Sequence, residues 1–166
     1  RRTIGGTVFC YNAITQDYCL SEAVACLKEC CDKVVVLDAG STDGTDELIK
    51  SFMDGKTQVI LISNKEWLER QGKTKLSYFT NRASAVLDTN YHFNLQADEI
   101  LHESCYPALR KAIRSNQEGF LVKRINLWAS PYLRLDVPQN RKPCSTEIVR
   151  LAKTQYQSYD DAESLA

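Results

Sequence analysis

Three valines and a leucine, Val34-Val35-Val36-Leu37, end at Asp38 and run directly into Ala39-Gly40-Ser41-Thr42-Asp43-Gly44-Thr45. An apolar, β-branched run this short, opened by Lys33 and closed by a carboxylate, predicts a strand buried on both faces, as in a parallel sheet. Gly40 and Gly44 bracket small polar residues and predict a loop. Thr45 then offers an N-cap, Asp46 and Glu47 put negative charge in a first helical turn, and Leu48, Ile49 and Phe52 supply the apolar stripe. The stretch therefore places a carboxylate at the carboxyl end of a buried strand, facing a helix N-terminus. Open α/β sheets bind ligands along that edge. The same residues also make an ordinary strand–turn–helix, and the physics of the stretch alone does not choose between the two.

The flanking sequence continues the alternation. Thr7-Val8-Phe9-Cys10 predicts a first strand that ends at Tyr11-Asn12, where an Asn is common turn chemistry. Asp17 is placed to cap a helix with the stripe Leu20, Ala23, Val24, Leu27 and Cys31. Gly55 closes the second helix, and residues 58–63 read as a third strand, giving βαβ units with right-handed crossovers. Trp67 falls in a charged segment ending at Gly72 and reads as a rim tryptophan packed on the surface. Leu76, Phe79, Ala83, Val86 and Leu87 form the stripe of a helix starting near Lys75, with Asn81 and Arg82 off it, on a solvated face. Residues 91–96 alternate apolar and polar, predicting a strand with one more solvated side, and Ala97-Asp98-Glu99 turns out of it. Ser104 is expected to cap a fourth helix, with Pro107 in its first turn and Leu109 and Ile113 buried. Strands are expected at 119–126 and 147–151, separated by a long irregular loop that holds Pro131, Pro138 and Pro143. The acidic tail of Asp160, Asp161 and Glu163 reads locally as a solvated terminus.

At 166 residues the chain makes one domain, large enough to bury roughly two-thirds of its unfolded surface. Lys plus Arg equals Asp plus Glu at 21 each, so no net basic field draws nucleic acid or anionic lipid. No apolar run approaches the roughly 18 residues of a membrane span. The seven cysteines include no C-x-x-C pair. They are expected to be reduced thiols of a cytoplasmic protein, several of them acting as small hydrophobes, with no zinc site. The chain opens Arg1-Arg2 without Met or a signal segment and is expected to be a piece of a longer protein, whose remainder would supply any attachment to a membrane surface.

Asp38-Ala39-Gly40-Ser41-Thr42-Asp43-Gly44-Thr45 resembles the D-x-G-S-x-D-G-T signature of family 2 glycosyltransferases, enzymes of the GT-A fold. Other segments match in the same order: Tyr11-Asn12 after the first strand, Gly72-Lys73 and Asn81-Arg82-Ala83 about a later helix, and Gln96-Ala97-Asp98-Glu99 at a strand end. The resemblance covers residues 7 to about 103, and the rest of the chain matches only loosely. It implies an α/β fold of GT-A type: a single three-layer α/β/α sandwich over residues 1–166 with a mostly parallel, Rossmann-like central sheet.

In such enzymes the nucleotide lies at the carboxyl ends of the first, second and fourth strands. The resemblance implies that Tyr11 and Asn12 wall the pocket, with Tyr11 against the base. Asp38 would accept from the base's imide N–H, selecting uracil over cytosine, with Ser41 and Asp43 in the same loop. Lys73 and Arg82 would face the diphosphate. The position of the D-x-D metal motif reads Gln96-Ala97-Asp98, so Asp98 becomes the direct ligand of a divalent cation, Mn²⁺ or Mg²⁺. Glu99 is a weaker ligand candidate, and Gln96 is left to bond a ribose hydroxyl. An acidic base after the last strand is implied as well: Asp161 first, then Glu163 and Asp160, with His102 as the main rival.

The activity implied is metal-assisted transfer, with inversion, of a sugar from a nucleotide-diphosphate donor, a UDP-sugar, to a hydroxyl on a glycan, a lipid-linked sugar or a protein. Two other readings compete. A sugar-nucleotide pyrophosphorylase ranks low, because no Gly- and Arg-rich phosphate loop comes after the first strand. A non-catalytic nucleotide-sugar-binding or scaffold domain of the same fold is the stronger rival, given Gln96, the short chain and the undetermined base.

Overall fold

The computed structural model describes residues 1–72, 74–127, 132, 134, 147–159 and 164–165. Its elements run β1 (Ile4–Cys10), α1 (Leu20–Cys30), β2 (Lys33–Asp38), α2 (Thr45–Lys50), β3 (Thr57–Leu61), α3 (Asn64–Glu69), α4 (Thr74–Ser84), β4 (Tyr91–Asn94), α5 (Tyr106–Ala112), β5 (Gly119–Lys123), β6 (Glu147–Lys153), β7 (Ser158–Tyr159) and β8 (Ser164–Leu165). Six strands form one sheet in the order β3-β2-β1-β4-β6-β5, and β7 and β8 form a separate hairpin. The first four are parallel, and β6 runs antiparallel to both of its neighbours. This is the mostly parallel α/β sandwich that the sequence predicts.

The valine run divides between two cores. Val34 and Val36 face α1, α2 and α5 across a cluster with Leu20, Val24, Leu27, Ile49, Leu109 and Ile113. Val35 and Leu37 face the other way, onto Phe79, Ala83 and Leu87, with Trp67 packed at the margin. Successive strand side chains point to opposite faces, so a strand buried between two helical layers needs apolar residues at every position.

Several boundaries differ from expectation, each for a physical reason. β1 starts at Ile4, so Gly5 and Gly6 lie inside it. A Cβ on Gly5 would sit 2.5 Å from Leu87 Cδ2, and one on Gly6 would sit 2.9 Å from Cys31 Sγ. Glycine lets both helical layers close onto the strand there. α1 begins without a side-chain cap at Cys19, because Asp17 is in the left-handed region (φ 54°) within the preceding turn. Gly44 (φ 91°), not Thr45, holds the N-cap position of α2. Trp67 lies in a short helix, α3, that the sequence reading missed. β4 is buried on both sides rather than half-solvated, because Asn94 Oδ1 accepts from Thr7 Oγ1 inside the sheet (3.2 Å). His102, not Ser104, caps the turn that leads into α5, accepting from Ser104 N–H. The six described cysteines are free thiols, and Cys144 lies outside the described residues.

Candidate functional site

The chain leaves β1 towards β2 on one side and later returns to pair β4 on the other. The crevice opened by that reversal lies at the carboxyl ends of β1 and β4, with β2 adjoining. β2 and β4 flank β1, so their ends stand about 10 Å apart.

On the β2 side two loops are stitched together. Asn12 takes up φ 50° at the exit of β1. Its N–H donates to Ser41 Oγ (2.7 Å), and its Oδ1 accepts from Thr42 N–H (2.8 Å). Asp43 accepts from Thr15 N–H (2.8 Å) and from the Thr45 hydroxyl (2.6 Å), and Ile14 N–H donates to Thr45 Oγ1 (3.2 Å). Burial alone would push the Asp43 carboxyl up, but the Thr45 and Thr15 donors outweigh it and hold the group at about 2. Asp43 is thus a structural tie between the two loops.

Asp38 closes β2 and is buried. Its carboxylate accepts from Ser41 N–H (3.0 Å to Oδ2) and, in a short bond, from the Ser41 hydroxyl. Burial raises its pKa, and the Ser41 and Gly40 donors offset only part of that. A carboxylate has about four acceptor positions, so Oδ2 keeps capacity for a further donor. Gly40 holds φ 88°, and a Cβ there would stand 2.3 Å from Asn64 N. Asn64 Nδ2 donates to Gly40 O (2.7 Å) and lies 3.2 Å from the Tyr11 hydroxyl. Tyr11 stacks on Trp67 with ring centroids 4.2 Å apart, and Lys75 Nζ lies 3.6 Å above the same indole. Asn64 and Lys75 join the candidate site without having been singled out in the sequence, and Trp67, expected as a rim tryptophan, packs against Tyr11 there. The signal was Ser63-Asn64-Lys65-Glu66, an S-x-x-E pattern that marks a helix start, and Ser63 Oγ does accept from Lys65 N–H.

On the β4 side, Gln96 to Glu99 form a tight turn. Glu99 N–H donates to Gln96 O (3.0 Å), and Gln96 N–H donates to Glu99 Oε2 (3.1 Å). Glu99 is also held by Arg150 through Nε (3.1 Å) and Nη2 (2.7 Å), and Arg124 lies 3.6 Å from the same carboxylate. Arg150 on β6 is 1% exposed. Glu99 is therefore committed to two guanidiniums, while Asp98 makes no ion pair among the described residues. Asp98 stands at the surface, yet enough protein lies beneath it for burial to raise its pKa. Glu99 adds to that rise, and Arg150 and Arg124 counter it.

Arg82 donates to Glu66 (2.7 Å) and to the Tyr78 hydroxyl (3.1 Å), which engages it between α3 and α4. His102 is exposed. Lys73, Asp161 and Glu163 lie outside the described residues. The structure thus brings Tyr11, Asn12, Asp38, Ser41 and Asp43 into one wall and sets Gln96 and Asp98 on the other side of β1. No group of three or more His, Cys, Asp or Glu residues placed to hold a metal occurs among the described residues. No helix among them is long and apolar enough to cross a membrane.

No protein-family model matches the chain, and no curated protein sequence matches it. Solved structures do. S. aureus TarS superposes with a TM-score of 0.61 at 16% identity over 92% of this chain and 28% of its own. The mannosyltransferase PcManGT from Pyrobaculum calidifontis, in complex with GDP-Man and Mn²⁺, gives 0.56 at 22% identity over 75% of this chain and 36% of its own. Glucosyl-3-phosphoglycerate synthase from Mycobacterium tuberculosis, in complex with UDP, gives 0.55 at 19% identity over 93% of this chain and 57% of its own. The chain spans 28% to 57% of the length of these three proteins. Sheet order, flanking helices and superposition agree: the chain has the GT-A fold of the glycosyltransferases.

Proposed function

We propose that the chain is the donor-binding core of an inverting glycosyltransferase that uses a nucleotide-diphosphate sugar, with UDP as the nucleotide. The observation that carries the reading is Asp38, a buried carboxylate with a spare acceptor position at the end of β2. It lies across β1 from Asp98, a carboxylate without an ion pair among the described residues. UDP in complexes of TarS and of glucosyl-3-phosphoglycerate synthase, and GDP-Man with Mn²⁺ in the mannosyltransferase complex, support it by fold analogy.

In this reading the uracil imide N–H donates to Asp38, and Tyr11, already braced on Trp67, presents its free face to the base. Asn12, Ser41 and Asp43 keep the loops in register around the nucleoside, and Gln96 bonds a ribose hydroxyl. Asp98 fits a hard divalent cation, Mn²⁺ or Mg²⁺, because such ions in phosphate-transfer sites take one or two carboxylates and complete their shell with substrate phosphates and water. A cation held there would neutralise charge on the departing diphosphate. By the family resemblance Lys73 would add positive charge to the diphosphate, and Arg82 would do so on releasing Glu66. A tail carboxylate, Asp161 ahead of Glu163, removes the acceptor hydroxyl's proton as its oxygen attacks the anomeric carbon, and His102 is the competing base.

The test is a panel of nucleotide sugars titrated with and without Mn²⁺, read by thermal shift and calorimetry. UDP-sugars should bind, Asp38→Ala should abolish binding while melting cooperatively, and Asp98→Asn should weaken the Mn²⁺-dependent part by about 1–3 kcal/mol. Equal donor affinity in Asp38→Ala would refute the assignment. A non-catalytic binding domain is favoured by Gln96 in the first acidic position. Slow UDP release from donor without acceptor separates the two, since only an enzyme turns the donor over.

A further inference from the structure

We propose that a groove at the opposite end of the sheet is a second binding site, for a ligand that carries a phosphate or diphosphate group. The groove has a volume of about 640 Å³ and is lined by Arg1, Arg2, Arg110, Ile113 and Arg114. It lies beside the start of β1 and the end of α5, away from Asp38 and Asp98 at the carboxyl ends. Lys plus Arg and Asp plus Glu balance over the whole chain, so four guanidiniums around one groove are a local concentration of charge.

Among the described residues, the one carboxylate ion-paired with them is Asp32. It takes Arg110 through two bonds (2.6 and 3.1 Å) and Arg1 through one (3.3 Å), and it accepts from Ile4 N–H (2.9 Å). Four positive charges less one leaves a balance of three. The fork to Asp32 fixes the Arg110 plane and uses two of its five N–H donors. Arg2 Nη1 donates to Ile113 O (3.0 Å) and Arg114 O (2.9 Å). Those carbonyls end a helical segment and would repel an anion if bare; Arg2 caps them, which removes the main unfavourable dipole from the groove. Arg114 is exposed and makes no ion pair or side-chain hydrogen bond among the described residues, and the Arg1 side chain is 76% exposed. Two guanidiniums held in place, Arg1 on a single longer bond to Asp32, and Arg114 with no side-chain bond among the described residues describe a receptor for a multiply charged phosphate group, two of whose oxygens a planar guanidinium fork can take.

Soluble phosphates and lipid headgroups share this chemistry, and two arms separate them. The first titrates inorganic pyrophosphate by calorimetry at low ionic strength, without metal, into wild type, Asp38→Ala and the exposed pair Arg1→Glu/Arg114→Glu. The pair changes the groove balance from plus three to minus one. Pyrophosphate affinity should fall at least tenfold in the arginine pair and stay unchanged in Asp38→Ala. The second arm sediments the same proteins with phosphatidylglycerol and with phosphatidylcholine vesicles. Arginine-dependent pelleting with phosphatidylglycerol alone assigns the phosphate to a lipid. Pyrophosphate binding without pelleting assigns it to a soluble ligand. Binding of neither probe overturns the proposal, as does binding that survives in the arginine pair or disappears in Asp38→Ala. Thermal melts of both variants check folding. Because no arm uses a nucleotide sugar, failure of the donor reading leaves this result interpretable.

Discussion

Replacing Arg150 by Met tests the electrostatic frame under the site. Arg150 is 1% exposed, and the Glu99 side chain that it holds is 15% exposed. Removing one partner of a buried pair costs about 3–5 kcal/mol, because the other charge stays buried. Arg124 remains 3.6 Å from Glu99 and gives partial compensation, so Arg150→Met should lose about 3 kcal/mol, the low end of that range. The double variant Arg150→Met/Glu99→Leu removes both charges and should recover part of the loss. It cannot restore the acceptor for Gln96 N–H, a deficit of about 1–3 kcal/mol if the amide stays dry. Urea unfolding of wild type, both single variants and the double variant gives the coupling energy directly. Mn²⁺-dependent UDP titration of the double variant then asks whether the Gln96–Glu99 turn still presents Asp98. A loss under 1 kcal/mol in Arg150→Met would refute the buried-pair reasoning. A stable double variant with wild-type Mn²⁺-dependent affinity would show that the turn holds its shape without Glu99.

Gly40→Ala should destabilise by more than the roughly 1–2 kcal/mol of a left-handed alanine, because the added Cβ meets the backbone of Ser63 and Asn64. Gly55→Ala, where nothing lies within 4 Å, is the control and should stay within about 0.5 kcal/mol in urea unfolding. Asn64→Ala should cost about 1 kcal/mol through its bonds to Gly40 O and the Tyr11 hydroxyl, and it should weaken UDP binding with Mn²⁺ dependence unchanged. Burial lowers His92 to about 4 from 6.5, so below pH 6.5 the unfolded chain takes up a proton that the folded one refuses. Stability should be complete above pH 6.5 and fall by about 3 kcal/mol as pH drops to 4. A His92→Phe variant that keeps the same pH dependence of unfolding in that window would assign the effect elsewhere.

The parts of the fold readable in the sequence were those whose information is local. Val34 to Leu37 can satisfy their burial only between two layers, and Asp38 breaks the run, so strand and ligand edge emerge together. α3 was missed because Trp67 and Leu68 are its only large apolar residues among charged neighbours, too few for a periodic signal. Arg150 looks like a solvent-facing strand residue within Glu147-Ile148-Val149-Arg150-Leu151. Its burial depends on Glu99, 51 positions earlier, and no local pattern encodes that pairing. β4 failed for the same kind of reason: His92 and Asn94 alternate with apolar residues as solvated positions do, but β1 and β6 flank the strand, and Thr7 of β1 bonds Asn94. At the site, Asp38 was legible as a strand-end carboxylate. The Gly40–Asn64–Tyr11 contacts were not, because they join three loops that meet only in the folded chain.

Asn81 donates through Nδ2 to Ser158 O (2.8 Å) and accepts Ser158 N–H at Oδ1 (2.8 Å), so one amide side chain on α4 makes the two bonds that a strand partner would make. The β7–β8 hairpin is therefore fastened by a helix side chain and stands outside the six-stranded sheet. Opening it breaks that fork and leaves the sheet ladder intact, which makes the hairpin a separate unit of local unfolding. The Ser158 amide should exchange with solvent deuterium well before the amides of β1 and β2, and in Asn81→Ala it should exchange faster still while the sheet amides keep their rates. Residues 160–163 join β7 to β8 in the chain, so turnover of Asn81→Ala, measured beside its exchange rates, asks whether the fastening of the hairpin bears on the base proposed for that segment.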